Sequence, residues 1–281
     1  MISVNDKLIE ECGVFGIFNT EEAAVLTALG LHSLQHRGKE GAGIVTFDGK
    51  NFNGVRSQGL VSNTFAKPEI INQLPGKNAV GHVRYSTQGE SIDKNIQPLF
   101  ADLAAGGFAC AHNGNLINAV EIRKELIKKG AIFQTTSDTE TILQLVALSR
   151  KKLIRDKLID ALKKIKGAYS LVILTNKKLI GVRDPYGIRP LVLGIKDGSY
   201  VLASETCALN IIGADYVRDI KNGEIVIINK DGIESIRPFK RRKERPCIFE
   251  RIYFSRPDSI VDGETIYTYR KKLGEQLAIE N

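Results

Sequence analysis

No apolar stretch in this chain approaches the roughly 20 residues a helix needs to cross a bilayer. Residues 1–11 (MISVNDKLIEE) are polar and end in two acidic side chains, so they lack the apolar centre of a secretory signal. The four cysteines, Cys12, Cys110, Cys207 and Cys247, show no paired short spacing, which argues against a disulfide scaffold or a zinc knuckle. A reducing cytoplasmic setting with no membrane contact is the expectation. The net charge of +8 invites a nucleic-acid reading. However, the basic run KRRKER (Lys240 to Arg245) has no interleaved aromatics, and no nucleic-acid motif surrounds it. It reads as a solvated connector. Lysines elsewhere, as in KKLIRDKLIDALKKIK, mark the wet sides of helices.

A length of 281 residues fits one large domain, or one domain plus part of another. CGVFGIF (Cys12 to Phe18) reads as a short buried strand. Ala23 to Leu34 places Val25, Leu26, Leu29 and Leu34 at helical spacing. The glycines of HRGKEGAG (His36 to Gly43) then break that helix and allow close backbone approach. NAVGHVRYST reads as a strand running into a loop, and GGFACAHNGNL as a strand ending in a tight turn. Helices follow over Asn118 to Lys129, over Thr139 to Arg150 with Ile142, Leu143, Val146 and Leu148 on the apolar side, and over Leu153 to Lys166. Ser137 or Asp138 is placed to cap the second of these. Short β-branched strands come next: AYSLVIL, LIGVR, PLVLGI, YVLAS and GEIVIIN, separated by turn signals. The pattern predicts two sheets with helices packed outside them. A helix-like tail, Thr265 to Glu280, follows the basic connector and reads as the start of a second domain, cut off.

Cys12 carries the sharpest chemical signal. Cutting the chain before it would give the cysteine a free α-amine with a pKa of about 7.7–8.0, close to working pH, beside a thiol near 8.5. Nucleophile and base would then belong to one residue. A buried strand cysteine would look the same on that segment alone. Other segments add the groups a glutamine-hydrolysing site needs. Arg84 can grip an α-carboxylate through a two-pronged fork, Asp138 can accept from an α-ammonium, and Asn113 with the Gly114 amide can donate to an oxyanion. Each has a plainer alternative: a surface ion pair, a helix cap, a hairpin turn. Their occurrence together with Cys12 favours the site.

EECGVFGIF, SLQHRGKEGAGI, VGHVRYSTQG, AHNGNL, TTSDTE, KGAYSLVIL, RDPYGIRPLVLG, ASETCAL and CIFERIYFSRPDS make the chain resemble the amidophosphoribosyltransferase family, and more broadly the class II glutamine amidotransferases, which are N-terminal-nucleophile hydrolases. The resemblance implies an α+β fold, a four-layer αββα sandwich, over residues 12–239. It also implies a leader at 1–11 and a connector with the truncated start of a phosphoribosyltransferase domain at 240–281. It gives Cys12 the role of nucleophile, Asn113 and Gly114 the oxyanion, Arg84 and Thr87 the substrate carboxylate, and Gly114 and Asp138 its amino group. Arg37 and Gly38 fall on the substrate-binding loop near the nucleophile. Glutamine is the implied substrate, and ammonia would pass to phosphoribosyl pyrophosphate through the missing domain to give phosphoribosylamine. That domain's diphosphate loop, an acidic pair leading into a Thr/Ser/Gly run, has no counterpart here. No metal or cofactor is expected in this chain. Mg2+, and in some members a [4Fe-4S] cluster with Cys247 as one ligand, belong to full-length relatives, which usually assemble as homo-oligomers.

Two rivals come from other residues. His32 and His36 stand four apart, but zinc wants three or four ligands and no third is evident. Cys110 and His112 share a strand face and could pair as thiol and imidazole, although His112 is better placed to orient the neighbouring turn. Two alternative functions remain: a free-standing amidotransferase subunit with another acceptor, and a non-catalytic glutamine-binding module whose leader is never removed.

Overall fold

The computed structural model describes residues 12–85 and 93–281. The early chain builds β1 (Gly13–Phe18), α1 (Ala23–Ser33), β2 (Gly41–Phe47), β3 (Phe52–Gln58), the short helices α2 (Val61–Phe65) and α3 (Pro68–Ile71), and β4 (Asn78–Arg84). Next come β5 (Leu99–Leu103), β6 (Gly106–Leu116), three helices α4 (Ala119–Lys128), α5 (Thr139–Leu148) and α6 (Ile154–Leu162), then β7 (Gly167–Thr175) and β8 (Leu179–Arg183). The remainder is β9 (Val192–Lys196), β10 (Ser199–Ala203), α7 (Cys207–Asn210), β11 (Asp215–Asp219), β12 (Ile225–Asn229) and β13 (Gly232–Ile236). A two-strand ribbon, β14 (Ile260–Val261) and β15 (Glu264–Thr265), leads into α8 (Ile266–Glu280).

These strands form an α+β fold with two antiparallel sheets. One has seven strands in the order β11-β9-β10-β1-β4-β2-β3, and the other six in the order β13-β12-β8-β7-β6-β5. Val14, Val45 and Val80 of the first sheet meet Ala109, Ala111, Val172 and Val226 of the second in one buried cluster. The opposite face of the first sheet, with Phe15, Ile17 and Val83, packs on α1 and α7. The opposite face of the second, with Phe108, Leu171 and Ile173, packs on α4, α5 and α6. Strands covered on both faces are apolar without alternation, which is why β1 and β2 are buried at every residue. Edge strand β13, in contrast, is exposed at Ile233, Glu234 and Ser235.

Three expectations need correction. The buried side of α1 is Ala24, Leu26, Thr27, Ala28 and Leu31, while Val25 and Leu29 face outward, because small residues let the helix lie close on the sheet. Leu148 is exposed at the frayed end of α5. Asn113-Gly114 is no hairpin turn: β6 runs straight through it to Leu116, paired with β7 throughout. The connector is exposed from Lys240 to Pro246, as expected. It then docks on the body, with Arg245 N donating to Tyr186 O and Cys247 N to Ile188 O. Among the described residues, no helix is long and apolar enough to cross a membrane.

Candidate active site

Cys12 stands one residue before β1, and the pairing of Gly13 with Val83 sets it beside the end of β4. Its Sγ lies 3.6 Å from the Tyr85 carbonyl, just past Arg84. Gly38 makes the crowding possible. A Cβ there would sit 2.7 Å from the Arg84 backbone, so the loop after α1 reaches β4 only with glycine at this position. Desolvation pushes the Cys12 thiol up to about 11, against the pull of the positive charges of Arg189, Arg84 and Arg37. Such a thiol is almost wholly protonated at neutral pH and attacks only if a base takes its proton as it does so.

The second sheet brings its residues to the same end of the fold through one bridge. His82 Nε2 on β4 donates to His112 O on β6 at 3.1 Å, so Arg84 and Asn113 flank a common joint. The Asn113 side chain is buried, and its Nδ2 has no hydrogen-bond partner among the described residues. A buried amide left without a partner costs about 1–3 kcal/mol, so this donor is available to an acceptor brought into the site. Gly114 follows with φ +146°, and a Cβ there would lie 2.1 Å from Ala168 O. Only glycine can hold this backbone, which turns the amide off the regular strand direction.

Asp138 occupies the N-cap position of α5, as expected, but its side chain makes no capping hydrogen bond. Ser137 Oγ accepts from the Thr139 amide at 3.3 Å, while the Asp138 carboxylate reaches across to the Leu116 amide at 2.9 Å and stands 3.6 Å from His112 Nδ1. Burial pushes its pKa up, but the His112 ring and the Leu116 amide outweigh that and hold it below the usual carboxylate value. His112 is fixed by Thr139 Oγ1 at 3.1 Å and, through its amide, by Gln97 at 2.8 Å. There is no turn beside it for it to orient, and among the described residues it shares no hydrogen bond with Cys110, whose thiol burial pushes far up. His32 is exposed, whereas His36 is bonded to Glu205, so the two histidines do not converge. Thr87 and the leader 1–11 lie outside the described residues.

Arg37 departs from its expected role. Its guanidinium is fully buried and committed to protein groups: Nε donates to Cys12 O at 2.8 Å, Nη1 to Glu205 at 2.6 Å and to Glu250 at 2.9 Å, and Nη2 to Glu250 at 2.8 Å. It does not offer a fork to a substrate carboxylate. Glu205 also accepts from His36 Nε2, the Arg256 amide and Ser259 Oγ. Although buried, its carboxyl is held down to about 2, because desolvation is outweighed by Arg37 and these donors. Arg189 Nη1 donates to Glu250 at 3.1 Å. Sequence reasoning assigned no role to Glu205, Glu250 or Arg189. The available signal was a lone charge inside an apolar run, as in VLASETCAL and CIFERIYF.

On these two antiparallel sheets Cys12, at the start of its strand, the buried Asn113 amide and the Asp138 carboxylate are the candidate site, and residues 82–210 match the family model described as a glutamine amidotransferase domain. The chain is 53% identical, over 98% of its length, to the amidophosphoribosyltransferase of Rhizobium etli, covering 57% of that protein. It is 46% identical to the Bacillus subtilis amidophosphoribosyltransferase over 100% of its length and 59% of that protein. It superposes on the solved structure of B. subtilis glutamine phosphoribosylpyrophosphate amidotransferase complexed with ADP and GMP with a TM-score of 0.92 and 45% identity, over 96% of this chain and 58% of that one. The chain is thus similar over nearly its whole length to amidophosphoribosyltransferases. It spans less than two thirds of the length of these relatives.

Proposed function

We propose that this chain hydrolyses glutamine, with Cys12 as nucleophile once residues 1–11 are removed, on the four-layer αββα sandwich of N-terminal-nucleophile hydrolases. The Cys12 Sγ attacks the side-chain amide carbon, and its proton passes to the α-amine of the same residue. Asn113 Nδ2 and the Gly114 amide receive the oxyanion, each such donor being worth roughly 2.7–4 kcal/mol in the transition state. The ammonium then gives its proton to the departing nitrogen, ammonia leaves, and water cleaves the thioester to return glutamate and the free thiol. Arg84 and Thr87 hold the substrate α-carboxylate, Asp138 and Gly114 its amino group, while Gly38 gives the loop its close approach. The observation that carries this reading is the buried Asn113 amide, without a partner among the described residues and joined through His112 and His82 to the strand that ends in Arg84.

In the whole protein the ammonia would pass to phosphoribosyl pyrophosphate, giving phosphoribosylamine for purine synthesis in the cytoplasm, within a homo-oligomer. Residues 12–239 form the glutaminase part, and 240–281 begin the phosphoribosyltransferase part, where Mg2+ would act. A [4Fe-4S] cluster needs four thiolates. Cys247 would supply one of them only in a full-length family member.

Replacing Cys12 by Ala is expected to cut glutamate release from glutamine by more than about 10³-fold, with the thermal unfolding midpoint unchanged. The mass of the active wild-type chain should lack residues 1–11. Persistent hydrolysis by C12A defeats the assignment. A chain that binds glutamine, keeps its leader in every preparation and releases no ammonia is instead a binding module.

A further inference from the structure

We propose that Glu250, acting through Arg37, is a positioning residue that aligns the Cys12 sulfur, so that the segment from Glu250 to Ser259 sets the geometry of attack. The inference rests on Cys12 being the nucleophile. The Cys12 carbonyl is held at 2.8 Å by Arg37 Nε, so the attitude of the guanidinium plane fixes the backbone of the reacting residue directly. That plane is in turn fixed by two carboxylates. Glu250 grips Nη1 and Nη2 in a two-pronged fork, and Glu205 takes a further bond from Nη1.

Both carboxylates are tied to the same late stretch of chain. Glu250 itself belongs to it and accepts from Ser255 Oγ at 3.3 Å as well as from Arg189. Glu205 accepts from the Arg256 amide at 2.9 Å and from Ser259 Oγ at 2.7 Å. Two buried cations, Arg37 and Arg189, thus face two buried anions, Glu205 and Glu250, in a balanced cluster. With no solvent to turn into, the Arg37 plane has one orientation while both anions are present. Removing the Glu250 charge takes that carboxylate from both Arg37 and Arg189, and the Arg37 plane is released from its fork. A displacement of about 1 Å at a reacting group is enough to cost on the order of 100-fold in rate. Asp138, assigned to the glutamine amino group, is bonded instead to the Leu116 amide and stands beside His112.

The test is steady-state glutamine hydrolysis by the full chain carrying Glu250→Gln or Glu250→Asp, with C12A as the control. For E250Q, kcat should fall about 10–100-fold while KM for glutamine stays within about twofold. E250D, which keeps the charge but is shorter, should recover part of the loss. Wild-type kcat in E250Q with C12A inactive would overturn the positioning role and leave the nucleophile standing. A raised KM at unchanged kcat would place Glu250 in substrate binding instead. Loss of cooperative unfolding in both variants would mean the cluster holds the fold and has no separate alignment role. Activity retained by C12A would remove the premise itself.

Discussion

Glu205 lies in an apolar run that would be read as strand filler, yet its carboxyl, despite burial, is held down to about 2 by Arg37 and three further donors. Its folded value lies below its unfolded one, so the stabilisation is full above about pH 4.5 and is lost as pH falls through the folded value. The gap corresponds to roughly 3 kcal/mol at neutral pH. Urea unfolding of wild type and Glu205→Gln should therefore differ most near neutrality, and the gap should narrow by about 2 kcal/mol by about pH 3. A gap that stays constant with pH would show that the charge is not what Glu205 contributes. Cys12, Asn113 and Asp138 were legible because their motifs pair a reactive type with the glycine or turn residues that expose it. Arg37 was misread for a physical reason. A cation in a glycine-rich loop beside the nucleophile suggests contact with substrate, but its partners stand 168 and 213 residues away in the chain. Long-range ion pairs leave no local periodicity to detect.

Elements were legible where burial imposes a period, and their edges were not. The helices of the middle block and nearly every strand fall where hydrophobic spacing puts them. The end of β6 did not, because Asn-Gly is both the commonest hairpin signal and a way for a strand to carry a twisted amide. The joint between β4 and β6 depends on His82. Burial drives its ring pKa down to about 3, so it stays neutral and donates from Nε2 to His112 O. A histidine with a lowered folded value favours the fold above its unfolded pKa of about 6.5, and the contribution fades as pH drops from there toward 3. The His82 ring Cε1–H resonance should accordingly stay in place from about pH 8 to about pH 5. A sigmoidal shift in that window would mean that water reaches the joint and that the two sheets part more easily than their packing implies.

At the scale of the whole molecule, the hydrophobic pattern foretold two sheets with helices outside, but it left the last stretch as a loose tail. The structure instead shows a short exposed strap followed by a firmly seated segment. Residues 240–246 are exposed, with no helix or strand, whereas Glu250, Ser255 and Ser259 are buried against Arg37 and Glu205. Charged contacts do this seating, and charge is the property that made the stretch look solvated in the sequence. Exposed backbone outside helices and strands and rich in lysine and arginine is where trypsin cuts first, while Arg37, Arg84 and Arg189 are buried beyond its reach. Brief trypsin treatment should nick the chain between Lys240 and Arg245, and the two pieces should then elute together in size-exclusion chromatography. They are held by the Glu250–Arg37 fork, the bonds of Arg256 and Ser259 to Glu205, and the Ile260 amide on Thr206 Oγ1 at 2.8 Å. Adding about 1 M salt should not separate them, because screening acts on exposed charges far more than on buried pairs. If the late fragment instead came away at low salt, the cluster under Cys12 would be too weak to hold its own segment, and alignment of the nucleophile would have to come from the β1–β4 pairing alone.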